Sequence, residues 1–434
     1  MPNKVIFNPY SGIDWGTIQR HKANMHCHTT HSDGAIHPHE AVDRYHDAGY
    51  TILAMTDHDG NFPHIYSDRN EILTYPWTDL NNKFPDWDNR NPDTLGMVSI
   101  NGVEVSSVPH LLSHFNNFPG YGTQDALWAL QQIKTNAGFA TFAHPGRYWV
   151  DPSVYLGQTK QWYLDWYRDY RFLKTLYGVE VLNANIKHPE DEGFWDFLLT
   201  NTMPTRPIFS FGNDDEHSYG FNFGGSWSVF LLDALSESSV KNAYAKGSVL
   251  ACGRTHTNAP TQPEINEIIV TDTHITIHAA GYDIIEWVSE GNVVGSSETI
   301  DTSHLNKYVR AKLSISNGNG ETHVLTQPFG LSEGGIKFDD LEFDNKAIRA
   351  TSNNATTMEC TQVIAGQHFG TNREIKEVYN SQQIDVSLHP DTVSVALKAI
   401  GEGVIETGEI LYKNPVEVEE HQRKQRAFGV VLLV

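Results

Sequence analysis

The sequence predicts an α/β domain, built as a mostly parallel sheet or barrel, followed by an all-β extension. Three observations carry this expectation. Residues 1–258 alternate apolar strand-like runs with helix-like runs, the pattern of βα units. After about residue 259 the helical patterns vanish and strand-like alternation takes over. Histidines and carboxylates recur where the strands of the first part end, which is where a barrel carries its chemistry.

The elements follow in order. Residues 23–28 form a short strand. Residues 38–46 read as a helix, with Pro38 tolerated in its first turn and Gly49 near its stop. Residues 51–56, 96–106 and 110–115 are strand-like. Thr123 caps a helix running through Ala126, Leu127, Leu130 and Ile133 to Gly138. Strands follow at 139–143 and 178–182, a helix across Trp195 and Leu198, and a strand at 207–212. Residues 226–232, a helix near 240–245 and residues 248–252 close the series. Residues 61–95 interrupt it, rich in Asn, Asp, Pro and Trp and without a period. They are expected as an insertion over the C-terminal face of the barrel. Beyond 259, residues 265–270, 275–278, 284–288 and 308–314 alternate as strands, with Asn317-Gly318 and Asn319-Gly320 as turn signals.

Length sets the scale. At 434 residues the chain accommodates a barrel of about 250 residues and a smaller partner. The expected division is a barrel over 1–258, a β-sandwich-like domain over 259–335 and a second β-rich module over 336–434. The Gly334-Gly335 pair marks the last boundary. A formal net charge of −22 argues against nucleic acid or an anionic membrane as partner. It leaves a small anionic substrate open, because a metal cluster reverses the field locally. Cys27, Cys252 and Cys360 form no CxxC pair, so a reducing compartment is expected. Residues 1–12 lack an apolar signal core, and no stretch reaches membrane-spanning length. A cytoplasmic location is therefore expected, with signal-free secretion or incorporation in a virion as alternatives.

The ligand pattern is specific. Side chains two apart on a strand share a face, so His26 and His28 point together and Cys27 points away. Asp33 follows on the loop. His58 ends the next strand in Thr56-Asp57-His58-Asp59-Gly60, and Glu104 ends Asn101-Gly102-Val103-Glu104. His144 follows a strand, and Asp215 and His217 repeat the two-apart spacing. A ninth ligand is His110 or His114, four residues apart. Six imidazoles and three carboxylates are too many for one ion and suit two or three that share bridging ligands. Imidazole with carboxylate favours Zn, Mn or Fe over Mg or Ca.

Arg147, three after His144, is a candidate clamp for a phosphate oxygen. Asp59 and Asp214 flank ligands and are candidates to orient a histidine. Asp59 and Arg147 are the side chains expected to assist catalysis. Glu180 and Asn183 end their strand and are expected to line the substrate pocket with Arg147. His21, His31, His37, His39, His46 and His188 read as surface or supporting residues.

The motifs HCHTTHSDG, TDHDG, NGVEVS, AHPGRY and NDDEH resemble the successive motifs of the PHP (polymerase and histidinol phosphatase) superfamily of metal-dependent phosphoesterases. The likeness covers about residues 15–258. Residues 225–254 and the strand-rich run to Thr326-Gln327-Pro328-Phe329 are similar to its CehA/McbA-type branch. The resemblance implies a distorted (β/α)7 barrel with a trinuclear centre. It places ligands on His26, His28, Asp33, His58, Glu104, His144, Asp215 and His217. For the ninth it implies a histidine followed by two apolar residues, which His110-Leu111-Leu112 fits; His114-Phe115-Asn116 fits a variant. Residues 336–434 carry no resemblance.

The expected chemistry is hydrolysis of a small or flexible phosphate ester. Three divalent ions, three carboxylates and a bridging hydroxide leave a charge of about +2, suited to a phosphate dianion. The hydroxide is the expected nucleophile. A carbamate or carboxylic ester hydrolase on the same metals is the runner-up. A binding or assembly protein with an inactive barrel is the reading from another class. The extension is expected to cover a barrel end, mediate homo-oligomerisation or carry the chain to a partner.

Overall fold

The computed structural model describes residues 2–59, 90–106, 109–120, 125–149, 158–220, 222–333, 337–338, 340–343, 347–352, 355–364, 373–389, 392–400 and 406–412. The expected insertion up to residue 89, Thr123 and the Gly334-Gly335 pair lie outside them. An N-terminal strand β1 (Asn3–Phe7) precedes the ring of strands. The ring begins with β2 (Gln19–Asn24), helix α1 (Pro38–Asp47) and β3 (Ile52–Met55). It continues with the short α2 (Pro92–Leu95), β4 (Val98–Val105), β5 (Leu111–His114), α3 (Ala126–Thr135) and β6 (Phe139–Phe142). Helices α4 (Gly146–Trp149) and α5 (Lys160–Tyr167) lead to β7 (Leu176–Asn183), α6 (Glu190–Thr202) and β8 (Phe209–Asn213).

Each strand from β2 to β8 pairs with the next. The ring then closes just past the ends of its first and last strands. Asp215 N donates to His26 O at 3.0 Å and His28 N to Glu216 O at 3.0 Å, and Cys27 bridges Glu216 in parallel. A seven-stranded barrel results. The expected mostly parallel order needs one correction: β5 runs antiparallel to both neighbours. The physical reason is the length of the β4–β5 connection. Parallel neighbours need a crossover of about a dozen residues or more, and residues 106–110 are too few.

The helices form where apolar residues repeat on one face. In α1 the buried residues are Pro38, Ala41, Val42 and Tyr45, the spacing of a helix lying on a sheet. Helix α3 is capped by Asp125, whose carboxylate accepts from Leu127 N and Trp128 N, so the expected cap at Thr123 is corrected to Asp125. Both residue types suit an N-cap, and only the chain path decides between them. Helices α4 and α5 have no counterpart in the sequence reading.

From β2 the sheet also runs outward. Strand β9 (Ser226–Leu232) lies antiparallel to residues 19–23 of β2. Helix α7 (Glu237–Lys246) and β10 (Val249–Arg254) follow, with β10 antiparallel to β9. The β region adds β11 (Glu264–Val270), β12 (His274–Ala280), β13 (Ile284–Ser289), β14 (Asn292–Gly295), β15 (Thr299–Asp301), β16 (Tyr308–Asn317), β17 (Gly320–Leu325) and β18 (Phe329–Glu333). The hydrogen-bond ladder passes from β10 to β17, on to β16 and β18, and ends on β1. The β16–β17 turn pairs Asn317 with Gly320, at the expected Asn-Gly signals. Beyond it, a three-stranded and a four-stranded antiparallel sheet lie between residues 340 and 412. They share a core that includes Ile348, Met358, Cys360, Val395 and Leu397.

Candidate metal centre

The site sits at the C-terminal ends of the barrel strands. His26 and His28 follow β2 with fully buried rings, and their Nε2 atoms lie 3.1 Å apart. Cys27 between them turns into the core. Glu104, near the end of β4, is fully buried at the centre of the cluster. Five imidazoles surround its carboxylate. His110 Nδ1 lies 2.7 Å away, His58 Nδ1 2.9 Å, His144 Nε2 3.3 Å, His26 Nε2 3.4 Å and His28 Nε2 3.4 Å. Glu104 Oε2 and His144 Nδ1 are buried without a hydrogen-bond partner.

Asp215 and Asp33 extend the cluster. Asp215 Oδ1 is 3.2 Å from Nε2 of both His26 and His28, and its Oδ2 is 3.7 Å from His144 Nε2. Asp33 reaches His217 at 3.3 Å, His58 at 3.5 Å and His28 at 3.7 Å. Four overlapping groups have donor atoms close enough to hold an ion: His28–Asp33–His58–His217, His26–His28–Glu104, His26–His144–Glu180 and His58–Glu104–His110. Two donors bound to one ion at about 2.0–2.2 Å lie roughly 3–3.5 Å from each other. The 3.2–3.5 Å separations of Asp215 from His26 and His28 and of Asp33 from His217 and His58 fit that geometry, whereas His110 and His58 stand at hydrogen-bond distance from Glu104. Glu104 Oε2, which has the His58 ring nitrogen beside it but no aligned hydrogen bond, is the kind of atom an ion would satisfy.

Backbone strain marks the same places. His144 has φ 27° and Asp215 has φ 48°, in the left-handed region that costs a non-glycine residue energy. Electrostatics divides the imidazoles. Burial opposes the charged form of His58, yet the Glu104 and Asp33 carboxylates outweigh it and push its pKa up to about 10. Burial, with His217 and His58 as charged neighbours, pushes His28 down to about 4. His28 is thus held neutral, the form that binds metal. Burial would raise Glu104, but His110, His26 and His58 hold it well below the carboxylate range.

Eight of the nine expected ligand positions lack an alternative, and the structure brings all eight together. For the ninth it brings His110 onto Glu104, while His114 Nε2 faces the carbonyl of Met25 at 2.8 Å. Four residues of strand span roughly 13 Å, so two histidines on one strand face cannot both reach one site.

Other expectations fall differently. Asp59 is fully buried and accepts from Ser106 N at 3.1 Å, while Ser106 Oγ meets His58 Nδ1 at 2.6 Å. Arg147 is exposed on α4, its guanidinium 5.8 Å from the Tyr148 ring centre. Glu180 and Asn183 are buried, not on an open wall. Glu180 meets His26 Nδ1 at 3.0 Å and accepts from His144 N, Asn183 Nδ2 and Asn213 Nδ2 at 2.9–3.0 Å. It supports His26 from behind.

Asp57 escaped the sequence reading. It accepts from Thr29 N, Thr29 Oγ1 and Ser32 Oγ at 2.7–2.8 Å, which ties down the turn between His28 and Asp33. Asp214 accepts from Gly224 N at 2.9 Å, Ser226 N at 3.1 Å and Tyr45 Oη at 3.2 Å; it anchors the loop after Asp215 rather than a histidine. Glu216, also unforeseen, accepts from Ser218 N at 2.7 Å. The signal for Asp57 and Glu216 lay in their positions beside His58 and His217, where the motif offers more carboxylates than the ions need.

No family model matches the chain, and no curated protein matches it. Several solved structures do. One is a two-domain protein from Bacteroides vulgatus ATCC 8482 described as containing a predicted PHP-like metal-dependent phosphoesterase. It is 13% identical with a TM-score of 0.43, covering 95% of this chain and 99% of that one. Another, from Bifidobacterium adolescentis ATCC 15703 and likewise a metal-dependent phosphoesterase by prediction, is 16% identical with a TM-score of 0.33, covering 52% and 96%. An amidohydrolase from Chromobacterium violaceum is 16% identical with a TM-score of 0.30, covering 46% and 88%. At these values the likenesses do not bear on the chemistry of this chain.

Proposed function

We propose that this chain is a metal-dependent hydrolase of the PHP type that cleaves a phosphate ester, with two or three Zn, Mn or Fe ions as cofactor. One observation carries the reading: a fully buried carboxylate, Glu104, lies 2.7–3.4 Å from five imidazole nitrogens and retains an oxygen with no hydrogen-bond partner. Without metal, the Glu104 and Asp33 carboxylates are balanced by a proton held on His58; a bound cation would take over that charge and leave the imidazole neutral to ligate.

His26, His28, Asp33, His58, Glu104, His110, His144, Asp215 and His217 would hold the ions. Bound metals would supply Lewis acidity and a water acidified toward neutral pH. The chain's own residues fix the site. Glu180 orients His26. Asp57 holds the turn that presents His28 and Asp33. Ser106 sets the ring of His58. Arg147, exposed on α4 beside the Tyr148 ring, would be the residue to meet a substrate's outer phosphate oxygens.

The motif likeness to the CehA/McbA-type branch supports adding carboxylic esters and carbamates to the substrates tested. The experiment is elemental analysis of protein purified without chelator, joined to a panel of phosphate monoesters, phosphate diesters, carboxylic esters and carbamates. More than one transition-metal ion per chain is expected, with phosphate-ester hydrolysis that chelator abolishes and metal restores. Less than one ion per folded chain would remove the metal reading. Metal-dependent turnover of carboxylic esters or carbamates alone would keep the metals and change the bond.

A further inference from the structure

We propose that the opposite end of the barrel holds a second ligand site, for a small organic anion with a flat aromatic body. A cavity of about 510 Å³ opens there, within the size range of small-molecule sites. Its walls come from the N-terminal ends of β7 and β8, from β1 and from the end of α7. Tyr177 lines it at the start of β7, whereas Asn183 at the other end of that strand bonds the support of the metal centre. Six residues of strand separate the two by roughly 20 Å. The cavity is therefore distinct from the metal centre.

Charge selects the ligand. Lys174, Arg206 and Lys246 line the cavity, and among its described lining residues there is no carboxylate. Three cations so placed stand out on a chain of net charge −22. Arg206 is only 7% exposed. Its guanidinium donates to the carbonyls of Tyr167, Leu176 and Pro207, which fix its plane. A guanidinium held in place this way is prepared for a carboxylate, sulfonate or phosphate oxygen. Lys174 and Lys246 are exposed and add attraction at the rim.

Shape selects the rest of the ligand. Phe7 and Phe209 stack with ring centres 6.3 Å apart and planes 25° apart, and Tyr177 supplies a third aromatic face. Gly247, at φ 76°, makes room for this arrangement: a Cβ there would come within 2.3 Å of the Phe209 ring. The wall is thus built before any ligand arrives. Strand β1 reaches the cavity because it pairs with β18, so the β region completes this site.

The test uses the full chain and 2-naphthoate, followed by calorimetry and saturation-transfer NMR, with neutral 2-naphthamide as comparator. Saturable binding of the naphthoate is expected, with the amide weaker by about tenfold or more. The double variant K174E/K246E should weaken naphthoate by about tenfold or more while metal content and ester hydrolysis stay unchanged. Crystals soaked with naphthoate should show its ring between Tyr177 and Phe209. Absent saturation, equal binding of the amide, or naphthoate bound as tightly by the double variant would each overturn the proposal. The amide comparison needs only the wild-type chain, so it decides even if the variant fails to fold.

Discussion

Two buried charged clusters in this molecule solve the same problem in opposite ways. Where α6 meets β16, Arg310 is almost fully buried. Its guanidinium grips Asp196 through two hydrogen bonds of 2.8 and 2.7 Å and reaches Glu192 at 3.1 Å. Lys312 meets Glu192 at 2.7 Å, and Tyr308 Oη donates to Asp196 at 2.9 Å. Cations and carboxylates of the chain itself pair in that network, with Arg310 Nη1 the guanidinium nitrogen left without a hydrogen bond. At the barrel mouth, carboxylates face ring nitrogens at 3.2–3.7 Å around Asp215 and Asp33, and Glu104 keeps an orphaned oxygen. The difference teaches how a structural cluster is told from a binding one. A structural cluster brings its own counter-charge, whereas a binding cluster arranges donors around a charge that comes from outside.

The sharpest break of this contrast is Glu104→Gln. It should lower metal content and cut hydrolysis by about a hundredfold or more, with the circular dichroism spectrum retained. Full metal loading and turnover in this variant would place Glu104 with the structural clusters. The converse change is Asp196→Ala, which leaves the Arg310 charge buried with its main partner gone. We expect a loss of about 3–5 kcal/mol in denaturant unfolding, with turnover per folded molecule unchanged. A loss below about 1 kcal/mol would show that the network is not paired in the sense argued.

Within the centre, His110→Ala should cost metal affinity about tenfold or more, whereas His114→Ala should cost stability and leave the metals in place. Competition with a coloured chelator ranks the two, and the reverse order would move the ligand to His114. The smallest effect concerns acid. Burial raises the Glu192 pKa, but Arg310 and Lys312 outweigh it and hold it below the usual carboxylate value. A depressed folded-state pKa adds stability that is present above the unfolded value of about 4.3 and is lost as pH falls through the folded one. Glu192→Gln should therefore narrow its gap from wild type as pH drops below that value, read as unfolding midpoints at pH 7 and pH 3. A gap that widens in acid would reverse the assigned sign.

Much of the site was legible in the chain because the rules behind it are local. Two-residue spacing places His26 with His28 on a shared face; Asp215 and His217 lie past the end of β8, where Asp215 takes φ 48°, and approach to 3.7 Å through that turn. Apolar runs before His58, Glu104 and His144 mark strand ends. The extension's Asn-Gly turn follows from backbone preference alone. The positions that were hidden depend on partners far along the chain. Glu180 reads as a strand-end carboxylate until His26, 154 residues away, is seen against it.

The sequence by itself determined the ligand types, their order and the change from βα alternation to strands, since each follows from residue chemistry and short-range geometry. Only the tertiary structure decided that β5 is reversed and that residues 213–217 close the ring against residues 24–28. It also decided that His110 rather than His114 meets Glu104, and that β1 crosses to β18 and walls a cavity at the barrel floor. These outcomes rest on contacts between residues up to about 330 positions apart. Such contacts are set by which strand edges and apolar faces remain to be covered once the local elements have formed.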